Sequence, residues 1–99
     1  MPFEFPVPAH ALAEFCRLHG IVRLSLFGSA LRGDFGPESD VDVLVEFHPD
    51  RTPGLIRLAG IERELTALVG RKVDMRTPAD LSRYFRDRVT GSAVVQYAA

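Results

Sequence analysis

Ninety-nine residues, 46% apolar and 25% charged, have the composition of an ordinary soluble globular protein and suffice for one small domain, residues 1–99, that buries about two-thirds of its unfolded surface. A formal net charge of −1 gives no general pull toward nucleic acid or anionic membrane, and no apolar run approaches the roughly 20 residues of a membrane span. One cysteine, Cys16, excludes an internal disulfide framework and fits a reducing compartment, the cytoplasm.

The N-terminal MPFEFPVP lacks the basic start and apolar stretch of a secretory signal. From Pro8 to His19, Ala9, Leu12, Ala13 and Cys16 follow i, i+3, i+4, i+7, which predicts an amphipathic helix with Cys16 as a buried structural thiol. Gly20 closes it. Ile21 to Phe27 reads as a strand, with Val22, Leu24 and Leu26 alternating against Arg23 and Ser25. It runs into Gly28-Ser29. Ser29 to Leu31 has room for a short helix only, before a turn-rich stretch to Ser39 punctuated by Gly33, Gly36 and Pro37.

A second strand then opens on Asp40-Val41-Asp42 and continues to Phe47. Side chains alternate along a strand, so Asp40 and Asp42 share a face about 6.6 Å apart, while Val41, Val43 and Val45 face a core. Two carboxylates on one face repel each other unless a cation lies between them.

Thr52-Pro53 predicts the start of a helix whose apolar face is Leu58, Ile61, Leu65, Leu68 and Val69, ended by Gly70. Lys72 to Arg76 reads as a short strand, with Val73 and Met75 inward and Asp74 on the opposite face. Thr77-Pro78-Ala79-Asp80 predicts the next helix start, with Leu81, Tyr84, Phe85 and Val89 as its apolar side. For Ala93 to Tyr97, periodicity fits a last strand and a helical turn equally. The predicted fold is a small α/β core, a mixed sheet flanked by helices in the order α-β-α-β-α-β-α.

The chemistry that needs these parts is nucleotidyl transfer. Gly28 lets backbone approach a phosphate, a helix start offers free N–H groups, and Ser29 adds a hydroxyl donor. Asp40 and Asp42 are of the type that bridges two Mg2+ ions roughly 3.5–4 Å apart. Asp74 completes the set and is placed to take a proton from an acceptor hydroxyl. Plainer readings stand beside these. Gly28-Ser29 also fits an ordinary strand-to-helix turn, Asp74 a solvent-facing strand residue, and Arg32 a solvated loop arginine. Asp34 and Glu38 read as turn residues, and Arg83, Arg86 and Arg88 as a solvated helix face. His10, His19 and His48 have no metal-ligand spacing.

Gly28-Ser29-x-x-x-Gly33, then Ser39-Asp40-x-Asp42, then Asp74 resembles the minimal nucleotidyltransferase family of the DNA polymerase β-like superfamily. The resemblance covers most of the chain, with one departure: Leu31 stands where many members carry a small residue. It implies AMP transfer from ATP with Mg2+, catalysed and metal-bound by Asp40, Asp42 and Asp74, with Gly28, Ser29, Arg32, Gly33 and Ser39 at the nucleotide. It also implies an antitoxin role, modifying and silencing a HEPN-type ribonuclease toxin. Only 25 residues follow Asp74, so the acceptor surface is expected from that partner or a second copy of the chain. The acceptor is then a protein hydroxyl, a tyrosine above all, and direct nucleic-acid binding is not expected. The alternative is a non-catalytic module that binds nucleotide or its partner and neutralises the partner by contact alone.

Overall fold

The computed structural model describes residues 5–28, 39–81 and 83–99. Helix α1 (Ala9–His19) buries Leu12, Phe15 and Cys16 and ends where Gly20 turns left-handed at φ 73°. That glycine has a second reason to be there. A Cβ on it would lie 2.8 Å from Cβ of Arg51, whose guanidinium donates to the carbonyls of Arg17 and Leu18 at 3.0 and 2.6 Å. The arginine thus satisfies end carbonyls and places positive charge at the helix C-terminus.

Strands β1 (Ile21–Phe27), β2 (Val41–Phe47), β3 (Val73–Arg76) and β4 (Val94–Ala98) form one sheet in the order β3-β2-β1-β4. The β1 strand pairs antiparallel with β2 and β4, and β2 pairs parallel with β3. The sheet is therefore mixed, as predicted. Val41, Val43 and Val45 are fully buried. They join Leu24, Leu26, Val73 and Met75 against α1 and helix α2 (Leu55–Val69) in the main core. The opposite face carries a smaller cluster of Phe27, Leu44, Leu81 and Val89, the last on helix α3 (Arg83–Ser92).

Several local expectations change. A register irregularity between Ile21 and Arg23 shifts the phase of β1, so Ile21 rather than Val22 is buried. Thr52-Pro53 does not start α2. Residues Pro49–Arg51 form a 3-10 turn capped by the His48 side chain, Thr52 is extended, and Gly54 is the N-cap of α2. The Thr52 hydroxyl turns back to His48 O at 3.5 Å, and Gly54 rather than Thr52 caps the helix. Its buried stripe is Ile61, Leu65 and Val69 with Leu58 beside them, whereas Leu68 is exposed.

Thr77 and Asp80 do make a capping box, but it closes only a 3-10 turn, Pro78–Asp80. Leu81 then goes extended and turns into the second cluster, and α3 begins at Arg83. The tail is strand β4, a fourth strand after the last predicted helix. The expected short helix at 29–31 and the side chains of Tyr84 and Phe85 lie outside what is described. Among the described residues no helix is long and apolar enough to cross a membrane.

Candidate active site

Sheet register gathers the site. Phe27 at the end of β1, Asp42 on β2 and Asp74 on β3 are direct neighbours across three strands. Neighbours in register point to the same side, so Asp42 and Asp74 stand together on the face opposite the main core. Parallel neighbours lie about 4.8 Å apart, and like charges there are destabilising.

Gly28 follows directly at φ 69°, and a Cβ there would collide with Asp42 Oδ2 and lie 3.2 Å from its Cγ. The glycine is needed because the turn after β1 passes over the Asp42 carboxylate. Gly28, expected from the sequence to admit a phosphate, has a structural reason of its own in the room it leaves for Asp42.

Ser39 and Asp40 precede β2 and are half-buried. Two contacts fix them to the chain leading into β3: Val41 N–H donates to Lys72 O at 2.9 Å, and Arg71 Nη2 donates to Ser39 O at 3.2 Å. Strand β3 is the edge strand beside β2, and helix α2 closes its free side. Val73 N–H donates to Thr66 Oγ1 at 3.1 Å and Met75 N–H to Glu62 Oε2 at 2.8 Å. Asp74 between them is thereby held in register with Asp42.

The Asp74 carboxylate is not open. Arg76 forks it, with Nε 3.2 Å from Oδ1 and Nη2 3.3 Å from Oδ2. No three His, Cys, Asp or Glu side chains among the described residues are gathered closely enough to hold a metal ion. Asp42 and Asp74 thus share a row, but all three aspartates do not converge as expected. The carboxylates present are hard oxygen donors, the kind that suits Mg2+.

Ser29, Arg32 and Gly33 lie outside the described residues. The histidines are elsewhere: His19 Nε2 lies 3.1 Å from Glu64 Oε2, and His48 accepts from Asp50 N–H. Cys16 is fully buried in the main core, and burial raises its thiol pKa from 9.0 to about 12, as a structural thiol requires. Arg71, Arg76, Thr66 and Glu62 escaped sequence reasoning. Only Arg76 left a trace, since two residues along a strand from Asp74 is the same face.

Comparisons with known proteins converge on one family. The family model described as nucleotidyltransferase domain matches residues 10–95. A candidate protein adenylyltransferase of Methanocaldococcus jannaschii is 36% identical over 76 residues, 77% of this chain and 80% of its own length. The protein adenylyltransferase MntA of Thermococcus cleftensis is 39% identical over 56 residues, 57% of this chain and 54% of its own; the match thus takes in about half of that relative. Among solved structures, a candidate minimal nucleotidyltransferase is 35% identical with a TM-score of 0.72, covering 87% of this chain and 86% of its own. A toxin–antitoxin crystal structure with AMP-PNP has a TM-score of 0.75 at 18% identity, covering 94% and 75%, and that likeness concerns the fold alone.

Proposed function

The chain belongs to the nucleotidyltransferase domain family, and from that membership we propose that it transfers AMP from Mg2+-ATP to a tyrosine hydroxyl of a partner protein. The observation that carries this reading is the row Phe27–Asp42–Asp74, with Gly28 turning over the middle carboxylate. In the proposed reaction the acceptor oxygen attacks the α-phosphorus, and the bond from that phosphorus to the bridging oxygen breaks. Pyrophosphate leaves with the electron pair, and the acceptor proton passes to Asp74. Asp40, Asp42 and Asp74 are the residues to hold Mg2+, which when bound neutralises charge on the reacting phosphates. Gly28, Ser29, Arg32, Gly33 and Ser39 cradle the nucleotide. Such transfer depends mostly on positioning and charge, which is what a sheet register supplies.

The partner in this reading is a HEPN-type ribonuclease toxin, silenced by AMP on its tyrosine. Curated relatives are named protein adenylyltransferases, and a fold neighbour is a toxin–antitoxin complex; these motivate the assignment. A second reading, neutralisation by contact alone, is favoured by one observation: Asp74 is taken up by Arg76. Incubation with Mg2+, α-labelled ATP and a purified HEPN-type toxin separates the two. Label on the toxin, lost with an Asp40→Asn/Asp42→Asn double variant, supports transfer. A double variant that silences the toxin fully with no adduct establishes the contact reading instead.

A further inference from the structure

Asp74 is engaged by a charge that the proposed reaction does not use. Arg76 lies two residues further along β3, on the same face, and contacts both carboxylate oxygens, at 3.2 and 3.3 Å. Only the Nη2 contact is a hydrogen bond, and both distances exceed the roughly 2.7–2.9 Å of a strong charge-assisted pair. The two side chains are 50% and 33% exposed, so the pair is screened and opens at small cost. Asp42, in register with Asp74 on the neighbouring strand, adds a second carboxylate whose repulsion a cation relieves. Here the cation present is a guanidinium.

Resting on the nucleotidyltransferase reading, we propose that Arg76 is a positioning residue that stands in for the divalent cation: it occupies Asp74 in the ligand-free protein and yields it when a divalent ion binds. Arginine and metal then compete for one carboxylate. Competition has an unusual sign. A merely structural arginine would support metal binding by orienting Asp74, so its removal would weaken affinity. A competing arginine opposes metal binding, so its removal strengthens affinity.

Mn2+ is the probe, titrated into the nucleotide-free full chain and followed by the paramagnetic resonance of free ion. Arg76→Gln should bind Mn2+ about two- to fivefold more tightly than wild type at low salt, the scale of one exposed ion pair. The difference should shrink as ionic strength rises. Arg76→Lys, which keeps charge without the fork, should fall between the two. A thermal double-mutant cycle of Asp74→Asn with Arg76→Gln should show coupling without metal that disappears in saturating Mn2+. Equal or weaker Mn2+ binding by Arg76→Gln, or coupling indifferent to Mn2+, overturns the inference. Asp42→Asn distinguishes this failure from that of the underlying reading. If Asp42→Asn loses Mn2+ while Arg76→Gln gains nothing, only the competition is wrong. If Asp42→Asn binds as wild type does, or wild type binds no Mn2+, the metal site itself falls and the inference with it.

Discussion

Gly28 bears two demands at once, a left-handed backbone at φ 69° and room for the Asp42 carboxylate. Alanine there would cost about 1 kcal/mol for the backbone alone. The group it strikes is the end of a side chain, which can swing aside, so the fold survives and the site does not. Gly28→Ala should therefore lower the urea midpoint modestly while weakening Mg2+-ATP binding about tenfold or more in calorimetry. Unchanged affinity would mean the position of Asp42 under the turn is immaterial. Cys16 shows the same residue-scale logic in the core. Its thiol pKa is raised from 9.0 to about 12 by burial, so the folded chain keeps its proton where the unfolded chain has lost it. The contribution is complete below pH 9 and is lost as pH rises toward 12. Native protein at pH 8 should thus resist thiol reagents that label it at once in denaturant; rapid native labelling would contradict the buried thiol.

At the scale of elements, β3 depends on its neighbours on both sides. Its inner edge is paired with β2, while its outer edge has Thr66 and Glu62 of α2 accepting from Val73 and Met75. Thr66→Val keeps the shape and removes the acceptor, leaving an N–H unsatisfied at a cost of about 1–2 kcal/mol. Amide exchange at Val73 should accelerate with it, and a variant with wild-type stability and protection would show that α2 does not secure this edge. None of this was legible from periodicity, which reads one element at a time, because these bonds join a strand to the helix before it. What was legible is local: α1 up to Gly20, β1, and the inward Val41, Val43 and Val45 that oblige Asp42 to face outward. Boundaries failed where a turn competed with a helix. Thr52 and Thr77 both look like helix starts, yet each adjoins a 3-10 turn: the Thr52 hydroxyl turns back to His48 O, and after Thr77 the chain leaves its turn at Leu81 to enter an apolar cluster. The tail became a strand because β1 had an open edge for it, a fact of topology absent from the tail's own residues.

For the molecule as a whole, the sheet has a well-filled apolar face and, across it, an acidic row beside a small second cluster. The apolar clusters stabilise the fold; the acidic row concentrates like charge and works against it. Removing that charge should leave the ligand-free protein as stable or more so, since Asp42 has Asp74 directly beside it. Ligand should act in the opposite direction. If Mg2+-ATP binds the folded chain and not the unfolded one, a hundredfold excess over Kd adds about 2.7 kcal/mol. For a domain of this size that is a rise in Tm on the order of 10 °C. Asp42→Asn should melt close to wild type without ligand, and Asp40→Asn and Asp42→Asn should both lose the rise with it. The two observations must go together: a variant that melts lower without ligand has lost a structural contact, and its missing rise would say nothing of the site. Wild-type protein indifferent to Mg2+-ATP would remove the acidic row from consideration as a nucleotide site.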